Sequence, residues 1–462
     1  MNDEQVQKRI LKYTSVMSGV PQISGAVNEI YGDYESGDKD ITLKSAYAGM
    51  LYAAVFAPAL IGFVEWVLEN AEKDGKNRLY FLSRDGWQMY LIASQMVRTR
   101  GLSIECRYLS VSRYSMKLPA YHLDIDKSID SICVGGIDVT AVRILKRAGL
   151  TDEECREVLE ETGITDESGR ILNYHEVIEL KEKLRSSRRL IHFIYDHSAA
   201  AYDTAVNYLI QEGLCGDDSY YLVDSGWIGT LQCAIEKLVK SVNPEIDIEG
   251  CYFGMYEYPQ DVRKEKFHTY YFSPERGLKH KCTFSNSLFE TIVSSDEGMT
   301  TGYKKADGKY VPVKLSKNNP NFLQIKENIR ILERLLENMT LDKQAKPLID
   351  RHVIYRLFRL FMSEPTQLEV SAYGDSRFSD NVLDDGCRSA AAQLDIEQIR
   401  NQRFISKLMI VFGIKKYELR ESAWIEGSAV KAYGDNMAKR KAEFRHIRLC
   451  KGLIYMRKQM KA

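Results

Sequence analysis

A short apolar run, a polar loop containing glycine and a helical pattern follow one another twice in this chain. In the first copy, RLYFL (78–82) predicts a buried strand, SRDG forms the loop, and apolar periodicity predicts a helix over 87–98. A second strand is predicted over 105–111 (ECRYLSV). Neighbouring parallel strands need a long crossover, and a helix of this length supplies it. The order therefore predicts parallel strands rather than a hairpin.

The second copy begins with YYLV (220–223), which predicts another buried strand. DSGWIGT (224–230) then predicts a tight loop, 231–242 a helix, and IDIEGCYFGM (246–255) a further strand. Strands that alternate with helices are typical of α/β proteins with a parallel sheet. We therefore expect an α/β fold with a parallel-sheet core.

Residues 46–64 (AYAGMLYAAVFAPALIGFV) contain no charged residue and have about the length of a bilayer span. Ala, Gly and Tyr are frequent in this segment, Pro58 interrupts it, and EWVLE directly after it continues the helical pattern. These features favour a helix spanning 43–73 that is buried in a protein core, rather than one that crosses a membrane.

The pattern divides the chain into five parts. A polar leader with short helices is expected first, then two parts of the α/β core separated by a helical insertion. The second part of the core is expected to be loop-rich and aromatic from about 260 to 310, and a helical region with a basic tail follows it. The expected boundaries are 1–42, 43–119, 120–200, 201–310 and 311–462.

Composition excludes several classes of protein. With 44% hydrophobic and 28% charged residues and no net charge, the chain is neither disordered nor suited to coating nucleic acid. The nine cysteines occur singly, with no CxxC pair, which favours reduced thiols and no zinc site. The charged start MNDEQVQKRILKY lacks the apolar core of a secretory signal. A cytoplasmic protein without a nucleic-acid partner is expected.

The loop DSGWIGT is the strongest candidate for chemistry. An acid at the end of a buried strand, glycines that let backbone N–H groups approach an anion, and a hydroxyl at the start of a helix together favour phosphate binding. The alternative is an ordinary strand-to-helix turn in which Asp224 caps the helix. The candidate residues are Asp224, Ser225, Gly226, Trp227, Gly229 and Thr230.

A second candidate is the loop Ser83-Arg84-Asp85-Gly86. Its arginine and backbone amides suit a second anion, and Asp85 suits a metal ion or a proton. The alternative is a helix cap with a surface ion pair. Arg113, after the next strand, is a further candidate cation or simply a surface arginine. Loops at the carboxyl ends of parallel strands share one crevice, so these groups are expected to meet.

The segments YFLSRDG, YLSVSR, VDSGWIGT and FETIVSSDEGMTTGY carry a resemblance to a known family. Over about 43–305 the chain resembles bacterial polysaccharide-cluster proteins of the phosphoribosyltransferase fold. These proteins resemble transferases that use phosphoribosyl pyrophosphate (PRPP), and a phosphatase of the haloacid dehalogenase type is often linked to them. The chain has no DxDxT-like phosphatase motif, so the resemblance implies a separate phosphatase partner.

The resemblance implies transfer of ribofuranose 5-phosphate from PRPP to a sugar hydroxyl of a glycan, with release of pyrophosphate and with Mg²⁺ as cofactor. SRDG would hold the pyrophosphate, and DSGWIGT the ribose and its 5-phosphate. Asp85 and Asp224 are the candidate metal ligands and bases, and Glu290 is an alternative base or acceptor ligand. Ser225 stands where the family pattern has a second acid. The insertion 120–200 and aromatic residues over 252–303 would form the acceptor walls.

Residues 439–461 hold nine Lys or Arg and one acid, interleaved with apolar residues. This pattern predicts a basic amphipathic helix suited to an anionic lipid surface, where a lipid-linked glycan acceptor would lie. A peripheral position at the inner face of the membrane is one reading, and a solvated helix packed on its own domain is the other. Two further functions stay open, a phosphohydrolase or phosphotransferase with the same anion loops and a non-catalytic sugar-phosphate-binding protein.

Overall fold

The structure is a computed structural model of the 462-residue chain. It describes residues 3–18, 20, 24–25, 43–134, 139–164, 169–315, 319–339, 341, 348–378, 388–411 and 422–459. The predicted leader therefore lies largely outside the described residues, as do parts of the insertion and of the C-terminal region.

A five-stranded, all-parallel sheet forms the centre of the fold. Its strands are β1 (Arg78–Leu82), β2 (Glu105–Leu109), β3 (Tyr220–Trp227), β4 (Glu249–Met255) and β5 (Phe267–Phe272). Their order in the sheet is β2-β1-β3-β4-β5. The α/β class with a parallel sheet is thus confirmed.

The two crossovers predicted from the sequence lie on opposite faces of this sheet. Helix Gly86–Arg100 connects β1 to β2 and packs Ile92 into the same core as Phe81. Helix Thr230–Lys240 connects β3 to β4 and packs Ile235 into a second core. The connection that follows β1 therefore runs to one side of the sheet, toward β2, and the connection that follows β3 runs to the other side, toward β4. The crevice at their carboxyl ends is a topological switch point, where open α/β sheets bind ligands.

Residues 224–227 extend β3 instead of beginning a loop. The register pairs Asp224 with Tyr252 and Trp227 with Met255, so the ladder to β4 continues past the acid. Only Ile228 and Gly229 separate β3 from the next helix. The tight loop predicted over 224–230 is therefore too long. Asp, Ser and Gly are typical turn residues, which favoured a loop here, but pairing with β4 keeps residues 224–227 extended.

The face of the sheet that carries Phe81 is covered by a long, apolar helical segment. It begins with Leu43–Leu51, continues through the π-helical turn Tyr52–Phe56 and ends with Ala57–Lys73. The part from Tyr47 to Lys73 is long and apolar enough to cross a membrane, and 94% of its most apolar window is buried inside the protein. Burial to this extent is what we expected of a helix in a protein core.

Helices from both ends of the chain complete this core. Helix Asp3–Met17 docks through Arg9 Nε, 2.5 Å from Glu369 Oε1, and through the Tyr13 hydroxyl, 2.7 Å from the same oxygen. The leader thus includes one 15-residue helix that belongs to the core. The C-terminal helices are Phe322–Asn338, Arg351–Phe358, Arg359–Ser363 (π), Gln367–Tyr373, Ile396–Asn401, Phe404–Val411, Ile425–Tyr433 and Met437–Gln459.

The predicted insertion is helical and has its own small core, which includes Ile144, Val158 and Leu190. Helix Arg113–Ala120 leads into it, and its long last helix packs on the sheet face that carries Leu222. Its helices are Tyr121–Leu123 (3₁₀), Ile125–Ile132, Ala141–Lys146, Asp152–Glu161, Tyr174–Arg185 and Arg188–Gln211.

The region 260–310 is more regular than predicted. It contains β5, helices Leu278–Cys282 and Asn286–Ile292, and a hairpin of β6 (Thr300–Ala306) and β7 (Lys309–Lys314). A 3₁₀ turn, Lys264–Lys266, precedes β5, and a short pair of strands, Arg377–Phe378 with Arg388–Ser389, follows later. The Phe, Tyr and Thr residues of FHTYYF have strand propensity, which the loop prediction ignored.

Gly226 is required where β3 pairs with β4. Its φ is +122°, and a Cβ there would overlap the carbonyl oxygen of Gly254. Gly226→Ala is therefore expected to lower the free energy of unfolding by about 3 kcal/mol or more, measured by urea denaturation. Gly302→Ala is the matched control, since nothing lies within 4 Å of its Cβ position. Equal stability of the two variants would contradict this account of the β3–β4 pairing.

Candidate functional site

A cavity of about 240 Å³ opens at the carboxyl ends of β1 and β3. Its walls bring together the two loops that the sequence singled out, with Arg113 and Glu290. The predicted residues that line it are Ser83, Arg84, Asp85, Arg113, Asp224, Ser225, Gly226, Trp227, Gly229, Thr230 and Glu290.

Gly86 is the predicted site residue that does not line this cavity. It is buried at the start of helix Gly86–Arg100, and a Cβ there would lie 2.8 Å from the carbonyl carbon of Phe81. The glycine therefore permits close packing of the helix on the end of β1.

A hydrogen bond joins the two loops directly. The Ser225 hydroxyl at the end of β3 donates to Asp85 Oδ2 at 2.5 Å. Ser225 is buried, whereas Asp85 is partly exposed. Ser225 thus supplies a donor that fixes the carboxylate of the other loop.

Ser83 ties the first loop to the end of β2. Its N–H donates to the Leu109 carbonyl at 3.0 Å, and its hydroxyl donates to the Val111 carbonyl at 2.6 Å. The Val111 N–H donates back to the Ser83 hydroxyl oxygen at 2.9 Å. The peptide bond from Ser83 to Arg84 is cis. The three hydrogen bonds hold the ends of β1 and β2 together, two residues before Arg113.

Two helices begin at the cavity without a side-chain cap. Helix Thr230–Lys240 follows Gly229, and helix Gly86–Arg100 follows Asp85; neither N-cap residue makes a side-chain hydrogen bond to the first turn of its helix. The side chains of Asp224 and Asp85 therefore do not cap these helices. First-turn N–H groups without a partner in their own helix, together with the helix dipole, favour an anion at each start.

Gly229 has a conformational and a packing role. Its φ is +82°, and a Cβ would lie 2.6 Å from the Phe267 ring. The left-handed turn aims the helix start at the cavity while β5 packs against the turn. Packing therefore explains both glycines of this loop without reference to a ligand.

Asp85, Asp224 and Glu290 place three carboxylates around the cavity. Removal from water raises the pKa of Asp85 well above its usual range, and the charges of Glu290 and Asp224 raise it further. Burial also raises the pKa of Asp224 to about 7, against the lowering effects of the Ser225 and Gly226 N–H groups and of Arg113. Both side chains keep some exposure to the cavity, so they can exchange protons with a ligand there.

Glu290 is held by a residue of β3. The Trp227 indole Nε1–H donates to Glu290 Oε1 at 2.5 Å. The indole is 7% exposed and packs against Phe272, Phe284 and Phe289. Trp227 was predicted to bind substrate; its indole forms part of the wall and its donor is used on Glu290.

The helix that carries Glu290 is linked to the helix after SRDG by a buried amide. Gln88 is fully buried, and its Nε2 donates to the carbonyls of Ser294 at 2.9 Å and Ile292 at 3.3 Å. The Tyr52 hydroxyl, in the π-helical turn, donates to Gln88 Oε1 at 2.7 Å. Burial without loss of hydrogen bonds makes this link rigid, so it keeps the two carboxylate-bearing segments in register.

Arginine side chains contribute the positive charge of the site. Arg84 lies close enough to Asp85, and Arg113 close enough to Asp224, for each to lower the pKa of that carboxyl. Arg113 is the first residue of helix Arg113–Ala120, which Ser112 and Ser115 cap reciprocally. It is exposed, which leaves its guanidinium accessible to a ligand.

Sequence reasoning missed one wall of the cavity, formed by Asn319, Pro320, Asn321, Arg377 and Phe378. The Asn321 amide donates to the Arg377 carbonyl at 2.6 Å, and the Arg377 N–H donates to Asn321 Oδ1 at 2.7 Å. This reciprocal pair fixes the backbone of Arg377 beside the cavity. No local motif marks these residues, and more than fifty positions separate the two segments.

The helical insertion does not contribute the acceptor wall that was expected. Of the residues that the structure describes within 120–200, none lines the cavity. From the aromatic segment 252–303, by contrast, the wall includes Tyr256, Ser287, Thr291, Ser294 and Met299. The insertion instead packs around its own core beside helix Arg113–Ala120.

The carboxylates suit a magnesium ion that a ligand brings with it. Among the described residues there is no group of three or more His, Cys, Asp or Glu side chains that could hold a metal ion. Magnesium is commonly bound by one or two carboxylates together with substrate phosphates and water. Asp85 and Asp224, the predicted metal ligands, fit that arrangement.

The chain matches no model of a known protein family, and no curated protein matches it.

Asp224 gives the free protein a testable dependence on pH. The folded state keeps a proton on Asp224 up to about pH 7, whereas an unfolded chain releases it near about pH 4. The folded state binds more protons in this window, so its stability falls as pH rises from about 4 to about 7. Asp224→Asn is expected to be about 1–3 kcal/mol more stable than wild type at about pH 8, after allowance for partial exposure.

Urea denaturation at several pH values measures this difference, with Asp217→Asn, an exposed aspartate, as control. The gain of Asp224→Asn should vanish at about pH 4, where both states of the wild type are protonated. A difference that grows toward low pH would contradict the raised pKa.

Proposed function

We propose that this protein is a PRPP-dependent glycosyltransferase that moves ribofuranose 5-phosphate to a sugar hydroxyl of a bacterial surface glycan. The observation that carries the proposal is the meeting of two strand-end loops, each followed by a helix without a side-chain cap, with Arg84, Arg113 and three carboxylates around one cavity at the β1–β3 switch point. A sugar with a phosphate group at each end matches such a distribution of charge.

Each end of the donor has a matching loop. The 5-phosphate is assigned to the N–H groups of Gly229 and Thr230, with the Thr230 hydroxyl and Arg113 as further donors. The pyrophosphate is assigned to the loop from Ser83 to Gly86, where Arg84 and the start of helix Gly86–Arg100 lie. Ribose then spans the cavity beside Asp224. The helix dipoles and arginines oppose the negative charge at both ends.

Transfer breaks the bond between the anomeric carbon and a pyrophosphate oxygen and forms a bond from that carbon to the acceptor oxygen. The leaving group takes the electron pair of the broken bond, and the acceptor proton passes to a carboxylate. Arg84 stabilises the charge that develops on the pyrophosphate. Asp85 would hold a Mg²⁺ ion that binds with the donor, and that ion would supply further neutralisation of the charge.

Asp224 is the favoured proton acceptor. A group with a pKa of about 7 accepts a proton readily at neutral pH while still being ionised in a useful fraction. Glu290 is the alternative base or a ligand for an acceptor hydroxyl, since Trp227 holds its carboxylate beside the cavity. In-line displacement of this kind converts an α-configured donor into a β-linked product.

The acceptor is assigned to the remaining side of the cavity, where Tyr256, Asn321, Arg377 and Phe378 lie. Aromatic faces stack on sugar rings, and amide and guanidinium groups bind hydroxyls. A lipid-linked glycan at the cytoplasmic face of the membrane fits this role. The product keeps the 5-phosphate, so a separate phosphatase is required to remove it.

Incubation with PRPP, Mg²⁺ and an oligosaccharide acceptor tests the reaction. Transfer adds the mass of ribose phosphate to the glycan and releases pyrophosphate in equal amount. Release of inorganic phosphate without an acceptor would favour the phosphohydrolase or phosphotransferase alternative. Binding of PRPP without turnover would favour a non-catalytic sugar-phosphate-binding protein.

Loss of a charged group at either strand end should abolish transfer. Arg84→Ala and Asp224→Ala are each expected to lower kcat/KM by about 100-fold or more, because each group acts on charge in the transition state. Arg98→Ala, on the exposed side of helix Gly86–Arg100, is the matched control and should be unaffected. Circular dichroism checks that the variants stay folded. Wild-type activity in either site variant would remove that residue from the mechanism.

A variant of Trp227 distinguishes an effect on the position of Glu290 from an effect on PRPP binding. Trp227→Phe keeps an aromatic ring in the cluster with Phe272 and Phe289 but removes the indole donor. We expect a fall in kcat of about 10-fold or more, with the affinity for PRPP and Mg²⁺ unchanged by calorimetry. Weaker PRPP binding with unchanged kcat would place Glu290 on the donor side instead.

A further inference from the structure

The terminal helix Met437–Gln459 has an inner face that packs on the protein. Phe444 and Ile447 are buried, and Glu443 accepts from Arg403 at 2.6 Å. Lys451 Nζ lies 2.7 Å from Glu426 Oε1, a carboxylate that is itself buried. Part of the basic charge of this helix therefore anchors it to the C-terminal region, as in the packed-helix reading.

The outer face of the same helix is apolar and exposed toward its end. Leu449, Leu453 and Met456 are 66%, 45% and 46% exposed, and their spacing of four and three residues places them in one stripe. Isolated exposed leucines are common on proteins. A stripe of large apolar side chains on one helix is less common and marks an interaction surface.

Exposed basic residues accompany this stripe. Lys441 and Arg445 precede Leu449 by two and one helical turns, and Arg457 directly follows Met456; all three are exposed. The neighbouring helix Phe404–Val411 adds Ile405, 72% exposed, and it contacts the terminal helix where the Phe404 N–H meets Cys450 Sγ at 3.1 Å. The combined surface is apolar with positive charge beside it.

The inner face reaches the wall of the candidate site. The Tyr455 ring lies 6.3 Å from that of Tyr256, which lines the cavity. Lys281 Nζ lies 5.0 Å from each of the two ring centres. The terminal helix thus contacts a residue of the cavity wall through its inner face.

We propose that the outer face of the terminal helix, formed by Lys441, Arg445, Leu449, Leu453, Met456 and Arg457, docks on an anionic lipid bilayer. Apolar side chains enter the interface between headgroups and acyl chains, and the basic side chains bind anionic headgroups. Docking places the candidate cavity beside the bilayer. This binding is independent of the transfer reaction proposed above, so either can fail without the other.

Charge decides between a bilayer and a second copy of the chain as the occupant. A symmetric contact through this stripe would bring the same patch of both copies together, with Arg445 and Arg457 of each copy near those of the other. Like charges that meet in an interface oppose association. An anionic surface has the complementary sign and accepts the apolar stripe as well.

Co-sedimentation with vesicles tests the proposal on the full-length protein. One set contains equimolar phosphatidylglycerol and phosphatidylcholine, the other phosphatidylcholine alone. The protein should pellet with the anionic set at low salt and much less with the neutral set, and added salt should weaken binding. Protein that stays in the supernatant with anionic vesicles would overturn the proposal.

Two double variants separate the contributions. Leu449→Ser with Leu453→Ser should lower the partition coefficient by about 10-fold or more, because less apolar surface enters the interface. Lys441→Glu with Arg445→Glu should abolish the preference for phosphatidylglycerol. Leu323→Ser, at a leucine that is 81% exposed on another helix, is the control and should bind as wild type does. Thermal melting confirms that each variant is folded.

Light scattering on the free protein tests whether a second copy of the chain occupies the stripe. A stable dimer that Leu449→Ser with Leu453→Ser converts to a monomer would assign the stripe to a second copy and overturn the membrane assignment. Equal partition of wild type and both double variants would overturn it as well.

Discussion

Direct pairing of β1 with β3, two strands distant in sequence, is the constraint on which the rest of the structure depends. It sets Phe81 opposite Val223 near the ends of the two strands, and the residues that follow each strand then face one another. The hydrogen bond from Ser225 to Asp85 closes this juncture at 2.5 Å. Because the two crossover helices cover opposite faces, they leave the crevice at the ends of this pair open, and the cavity lies there.

The fold holds like charges together at this juncture at a cost to its own stability. Burial raises the pKa of Asp85 and that of Asp224, the charge of Glu290 raises both further, and the charge of Asp224 adds to the effect on Asp85. A ligand that brings positive charge, such as a magnesium ion carried by phosphates, would relieve the repulsion. The hydrogen bonds that Trp227 and Gln88 donate come from buried side chains. They hold the carboxylate-bearing segments in place whether or not a ligand is present.

The sequence predicted the elements that local patterns encode and missed those that depend on distant contacts. β1 was predicted with its observed bounds because RLYFL is a short apolar run between polar segments. β3 was predicted to end at Val223, since its continuation depends on pairing with β4 and not on propensity. All the predicted site residues except Gly86 line one cavity. The wall with Asn321 and Arg377 was missed because only the tertiary fold brings it to the strand ends, and β5 was missed because aromatic residues fit loops and strands alike.

The central claim is that the ends of β1 and β3 hold opposite ends of one doubly phosphorylated sugar. A crystal structure of the protein with PRPP and Mg²⁺ tests it most directly. The account predicts the 5-phosphate on the N–H groups of Gly229 and Thr230, the pyrophosphate beside Arg84, and the ribose ring next to Asp224. PRPP bound with both phosphate ends on the same loop, or bound at a different surface with this cavity empty, would contradict it.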